Sequence, residues 1–335
     1  MLLQQEKKGF KMFNRKQNKN FFKGSSNLLI MVTTMFFSTV FGNAVDVNDS
    51  IKIRVKSLDM IKELNVIQEK TKSKKTQNIT SSKKLGMIVP LYIYPDFNKP
   101  NSEWQRIIDN KKAHPKADII VIVNPSNGHF SKTDPTYVNA IKKIVKANIT
   151  VVGYVYTRYG VRDIKFVKND INSWTRLYKK LGVTGIFFDE VEGRDSKGQR
   201  AYYEKLTKYI KAKGYETSIL NPGITADQTF IDNYTADIIV SFEASYTAYK
   251  RDFKTGDVGK TIESKKTSTA LMVYDIDSVS NLKKAIADAP ADGFDYIYVT
   301  SSNKNWSNLG KNFETHITEM LKYNRDPRPY LCSKF

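Results

Sequence analysis

The chain carries a single cysteine, Cys332, among its 335 residues. That excludes an intrachain disulfide and any cysteine cluster for a metal, and it places the lone thiol in a tail rather than at a reaction centre. Histidine is nearly as scarce. His114, His129 and His316 lie far apart and form no HxxxH-type ligand pair, so no metal site is expected. Phosphate-cradling glycine loops are missing too. No GxxxxGK occurs, and the first strand-to-helix connection, YPDFNKP, contains no glycine. No nucleotide or other cofactor is therefore expected.

Acidic residues are also in the minority. The 54 Lys and Arg outnumber 34 Asp and Glu, for a formal charge of +20. Such a balance favours polyanionic partners, in particular an anionic cell-surface polymer or a membrane surface. The basic residues are mostly lysines scattered along helical segments, the pattern of an ordinary solvated face. No protein partner is indicated.

The only long uncharged apolar run is LLIMVTTMFFSTVFG, residues 28–42, followed by Asn43-Ala44. Residues 1–27 before it hold seven basic residues and one acidic residue. A positive leader, an apolar stretch of 15 residues and a small residue at the break read as a secretory signal peptide over 1–44, with an uncleaved N-terminal anchor as the rival. Removing it leaves a charge near +14. An exported chain without disulfides fits a secreted or cell-envelope bacterial protein, and export makes nucleic acid a poor partner. Residues 45–84 read as a polar linker, residues 85–325 as the principal domain and 326–335 as a C-terminal tail.

From Leu85 onward the pattern alternates. Apolar runs at 86–95, 117–125, 149–157, 185–190, 216–223, 237–244, 269–276 and 294–302 are separated mostly by amphipathic segments. The runs are continuous rather than alternating, as expected of parallel strands covered on both faces. Eight such units predict an α/β fold, a (β/α)₈ TIM barrel forming a single domain.

Polar residues collect where each strand ends. These are Tyr92 and Tyr94, Asn124 with His129 beyond it, Tyr154, Tyr156 and Arg158, Asp189-Glu190, Asn221, and Glu243 with Tyr246 beyond it. Barrel active sites are built on that face. Two carboxylates across a shared cleft are what glycosidic cleavage requires: one protonates the leaving oxygen, and the other serves as nucleophile or as base toward water. Asp189, Glu190 and Glu243 are the candidate catalytic residues. Tyr92, Tyr94, Tyr154, Tyr156 and Tyr246 offer flat faces and hydroxyls to sugar rings. Asn124, Asn221 and His129 offer hydrogen bonds, and Arg158 offers a cation.

The segments PLYIYP (90–95), IVNPSNGHF (122–130), GYVYTRYGVR (153–162), GIFFDE (185–190), LNPG (220–223) and the Phe-Glu of SFEASY (241–246) together resemble the spherulin-4, or spherulation-specific, family 4 over about 85–302. The resemblance implies a (β/α)₈ barrel similar to glycoside hydrolases. It also implies an endo-acting α-1,4-N-acetylgalactosaminidase activity on galactosaminogalactan, a biofilm polysaccharide. The acidic residues the family implicates fall on Asp189, Glu190 and Glu243, with Asp189 and Glu243 as the reacting pair and Glu190 positioning substrate. His129-Phe130 after Gly128 departs from the family pattern.

The expectation is an exported hydrolase acting on an α-linked, amino-sugar-containing polysaccharide, with water as co-substrate. The alternative is a non-catalytic carbohydrate-binding or structural envelope protein on the same barrel. Which carboxylate is the acid, the stereochemical outcome, and endo against exo action are all left open at this stage.

Overall fold

Ile119–Val123 reads IIVIV, five β-branched residues in succession, and all five are buried. Gly86–Leu91, GMIVPL, is likewise buried throughout. Strands buried on both faces need a partner layer on each side, which a helix-wrapped parallel barrel provides. The structure, a computed structural model, describes residues 84–253, 266–304, 306 and 308–331. The expected signal or anchor over 1–44 and nearly all of the expected linker lie outside the described residues.

Eight strands, β1 (Gly86–Leu91), β2 (Ile119–Val123), β3 (Thr150–Tyr156), β4 (Val183–Asp189), β5 (Thr217–Leu220), β6 (Ile238–Ser245), β7 (Ser268–Tyr274) and β8 (Tyr296–Val299), pair in sequence order. All pairings are parallel, and β1 closes on β8, so the sheet is an eight-stranded closed barrel. Among the described residues nine α-helices accompany it. They are α1 (Glu103–Ala113), α2 (Pro135–Lys146), α3 (Ile164–Leu177), α4 (Gln199–Ala212), α5 (Gln228–Asp232), α6 (Tyr246–Asp252), α7 (Val279–Ala291), α8 (Phe313–Arg325) and α9 (Arg328–Leu331). This is the (β/α)₈ architecture expected from the strand–helix alternation.

The helices start where local chemistry dictates. Asp134 caps α2 by accepting from the amides of Thr136 and Tyr137, with Pro135 at the first helical position. Asp163 caps α3 through Lys165. Along α3, Val167, Ile171 and Trp174 recur at helical spacing and are buried against the barrel. A Cβ on Gly153 of β3 would lie 2.5 Å from the Trp174 ring, so a glycine is what lets this helix approach. The Trp174 indole N–H then donates to the Tyr154 carbonyl at 3.0 Å, which fixes the end of β3.

Two stretches differ from expectation. Tyr246–Asp252 forms α6 directly after β6, where no helix was foreseen. Residues 328–331, read as tail, form α9, and the Tyr330 hydroxyl donates to Glu319 of α8 at 2.7 Å. Among the described residues, no helix is long and apolar enough to cross a membrane.

Candidate active site

At the C-terminal end of the barrel, Asp189 closes β4 in register with Tyr156 of β3. Phe187, two residues earlier, stacks on the Tyr154 ring. Residues two apart on a strand share a face, so Asp189 follows Phe187 to the Tyr154 side. There its Oδ2 accepts from the Tyr154 hydroxyl at 2.8 Å.

Asn221, just past β5, lies between the two principal carboxylates. Its Nδ2 donates to Asp189 Oδ1 at 2.8 Å and to Glu243 Oε2 at 2.7 Å. Its own Oδ1 accepts from the Gly223 amide at 3.1 Å, which fixes which end of the amide faces the acids. The Asn221 amide is tied to the Phe188 carbonyl, and its carbonyl to the Val191 amide. Glu243 follows an irregularity in β6 between Val240 and Phe242. Its remaining oxygen, Oε1, accepts from the Trp306 indole at 3.0 Å.

One nitrogen therefore touches an oxygen of each carboxylate. The 2.8 Å and 2.7 Å bonds laid end to end cap the separation of those oxygens. The cap applies to those two oxygens, and it is compatible with the about 5–5.5 Å separation of the carboxyl groups in retaining glycosidases.

Aromatic rings wall the pair. Tyr92 meets Tyr154 edge-on at 5.5 Å, and Tyr274 meets Trp306 edge-on at 5.7 Å. Burial holds the Glu243 carboxyl above its ordinary range. The Asn221 bond opposes the rise, the charge of Asp189 adds to it, and the Trp306 bond opposes it. Burial also raises the Tyr92 and Tyr154 hydroxyls, and in both the neighbouring Asp189 and Glu243 raise them further. Both phenols therefore stay protonated, and that of Tyr154 donates to Asp189.

Glu190 has φ +52°, a left-handed conformation that costs about 1–3 kcal/mol for a non-glycine residue. Its backbone is pinned: the Thr157 hydroxyl donates to its carbonyl at 2.8 Å, and the Tyr159 amide does so at 2.5 Å. The turn swings the side chain away from the strand alternation, yet its charge still acts on Tyr154.

The remaining expected site residues divide. Tyr154, Tyr92 and Asn221 join the carboxylates. Tyr94 does not: its hydroxyl donates to Asp134 and its ring packs edge-on against Tyr137, over the start of α2. Asn124 closes a local turn with Asn127, accepting from that amide at 2.7 Å and donating to its side chain at 3.1 Å. Tyr156 lies under the Arg162 guanidinium at 4.0 Å. His129 is 87% exposed, with Nδ1 3.4 Å from Asp170. Tyr246 is buried and donates to Asn281 on α7. Arg158 is exposed at the rim with φ +50°. Neither Arg158 nor Arg162 pairs with Glu243; Arg162 pairs instead with buried Asp170 at 2.7 Å. Trp306 was not anticipated. Its signal was a single tryptophan in the polar stretch NKNWSN just after β8.

Among the described residues, no group of three or more His, Cys, Asp or Glu is placed to hold a metal ion.

Comparison with known proteins places the barrel in a family. The model of the family described as "Spherulation-specific family 4" matches residues 86–320. Spherulin-4 of Physarum polycephalum is 35% identical over 176 residues, 52% of this chain and 49% of that protein. The chain thus spans about half the length of that relative. The crystal structure of Aspergillus clavatus Sph3 in complex with GalNAc superposes with a TM-score of 0.64 at 25% identity, covering 71% of this chain and 98% of that one.

Proposed function

The chain belongs to the Spherulation-specific family 4, and from that premise we propose that it is a glycoside hydrolase. It cuts an α-linked, N-acetylated amino-sugar polysaccharide with retention of anomeric configuration. The observation that carries this reading is the single Asn221 amide nitrogen in contact with both Asp189 and Glu243. The complex of Sph3 with GalNAc supports the N-acetylated sugar. So does the basic balance of the chain, which disfavours a polymer rich in free amines.

The roles follow from the surroundings of each acid. Asp189 accepts from a phenol and an amide, which fix its orientation beside Glu243, and it acts as nucleophile. Glu243 is held toward its protonated form by burial and acts as general acid. In the first step Glu243 gives its proton to the glycosidic oxygen as that bond breaks, and Asp189 forms an ester with the anomeric carbon. In the second step Glu243, now a carboxylate, takes a proton from water. The water oxygen bonds to the anomeric carbon and Asp189 leaves. Asn221 keeps the two groups together, since its amide nitrogen carries two N–H bonds and directs one to each acid. Export to the cell envelope or exterior belongs to the same proposal, because its polymeric substrate lies there.

Reducing-end release from α-1,4-linked N-acetylgalactosamine oligomers tests the reading. Wild type releases ends, whereas Glu243→Gln and Asp189→Asn, with unchanged melting curves, lose activity by at least about 10²-fold. Binding without release by wild type would instead indicate a carbohydrate-binding protein.

A further inference from the structure

The loop between β3 and α3, residues 157–162, is fixed at both ends and bare in the middle. At its start, the buried Thr157 donates its amide and hydroxyl to the Asp189 carbonyl, and its hydroxyl also to that of Glu190. At its end, Arg162 donates to the Tyr156 carbonyl at 3.0 Å, pairs with Asp170 at 2.7 Å and lies over the Tyr156 ring. The Tyr202 hydroxyl holds the Arg162 carbonyl at 2.8 Å.

Between these anchors Arg158, Tyr159 and Gly160 have φ of +50°, +53° and +77°, three successive left-handed residues of which two are not glycine. The Tyr159 amide reaches across to the Glu190 carbonyl, joining this strained turn to the strained turn that carries Glu190. The side chains so presented have nothing to hold them. Tyr159 is 60% and Val161 77% exposed, and Arg158 is exposed. Among the described residues none of the three makes a side-chain hydrogen bond, ion pair or ring contact. Phe166, on the first turn of α3, adds another exposed ring, 57% accessible.

Core packing does not explain this arrangement, because the side chains are not in the core. Strained backbone persists where its surroundings over-determine it, and a rigid loop with exposed aromatic and apolar groups is preorganised to bind. We propose that Arg158, Tyr159 and Val161 form an accessory subsite that holds the glycan chain beyond the scissile bond. Its occupant is a neighbouring N-acetylated sugar of the same polymer. The occupant is assigned by continuity, because the loop hangs from the backbone carbonyls of Asp189 and Glu190 themselves. The inference rests on the glycosidase reading and deepens it by assigning to named residues a second contact with the same polymer at the rim. Tyr159 offers a ring face to the sugar's C–H face. Arg158 offers an unpaired cation that accommodates acetamido or anionic groups and disfavours free amines.

The test compares wild type with Tyr159→Ala, Tyr159→Phe and Arg158→Ala on α-1,4-linked N-acetylgalactosamine oligomers of graded length. A de-N-acetylated polymer serves as a further substrate. Tyr159→Ala is expected to raise KM on the longest oligomers about three- to tenfold, with kcat and melting temperature unchanged. The shortest oligomer cleaved should be unaffected, and Tyr159→Phe should behave as wild type. Arg158→Ala is expected to raise kcat/KM on the de-N-acetylated polymer about two- to fivefold at low salt. Active wild type with no length-dependent change in Tyr159→Ala would overturn the subsite and leave the glycosidase reading standing. Wild type inert on every oligomer would overturn the glycosidase reading first, and the subsite with it. Should Tyr159→Ala fail to fold, Val161→Asn on the same oligomers replaces it, with the same expected rise in KM.

Discussion

The indole N–H of Trp306 donates to Oε1 of Glu243 across 3.0 Å, so a residue beyond β8 reaches an acid on β6. Packing against Tyr274 and Tyr298 sets the indole for that bond. A donor to the ionised form lowers an acid's pKa. Trp306→Phe keeps the ring and deletes the donor, so the alkaline limb of the kcat/KM profile should move to higher pH. A profile unchanged from wild type would show that the indole does not tune Glu243.

Glu243 also makes stability depend on pH. Its folded-state pKa is raised above the ordinary 4.5, so the folded state binds this proton more tightly than the unfolded chain. That contribution is fully present below about 4.5 and is lost as pH rises through the higher folded value. Glu243→Gln, always neutral, escapes the loss. Its melting temperature relative to wild type should therefore climb between pH 4 and pH 8. A difference that stays constant across those buffers would contradict the raised pKa.

Arg162 is the partner of Asp170, which is only 2% exposed. Removing one member of such a pair strands the other charge. Arg162→Ala should destabilise the fold by about 3–5 kcal/mol in urea titration. It should also free the 158–161 turn, seen as proteolytic cutting there before global unfolding. Arg162→Lys should rescue only part of the loss, because a lysine cannot both pair with Asp170 and stack flat on Tyr156.

Gly153 faces Trp174 at a distance no Cβ tolerates. Gly153→Ala should cost about 1–3 kcal/mol of stability by overpacking the β3–α3 contact. Because Trp174 also holds the Tyr154 carbonyl, activity should fall with it. Unchanged urea midpoints would mean the helix shifts freely.

Much of this site was legible because parallel strands bring every C-terminal strand end to one face. Asp189, Asn221, Glu243 and Tyr154 each lie within two residues of a strand end, and the barrel assembles them. Residues further from the regular backbone were not legible in the same way. Tyr94 lies three residues beyond the end of β1, where the two-residue alternation no longer fixes direction, and it turns to Asp134. Tyr246 opens a helix instead of extending β6, so its ring faces α7. Asn124 completes its own turn, a local bond competing with any ligand. Trp306 sits in an irregular loop that carries no periodicity to read. The approach of Asp189 and Glu243 across the cleft was legible, but the bridge between them was not: Asn221 read as a hydrogen-bonding group for substrate, and its two bonds to the acids depend on loop geometry beyond β5.

The most direct test of the central claim is proton NMR of the first sugar anomer released from an α-linked N-acetylgalactosamine oligomer, recorded before mutarotation. A double displacement by Asp189 and Glu243, held together by Asn221, predicts that the α anomer appears first and the β anomer grows in later. The β anomer appearing first would show single displacement by water, and the shared-amide geometry would then not describe the reacting pair.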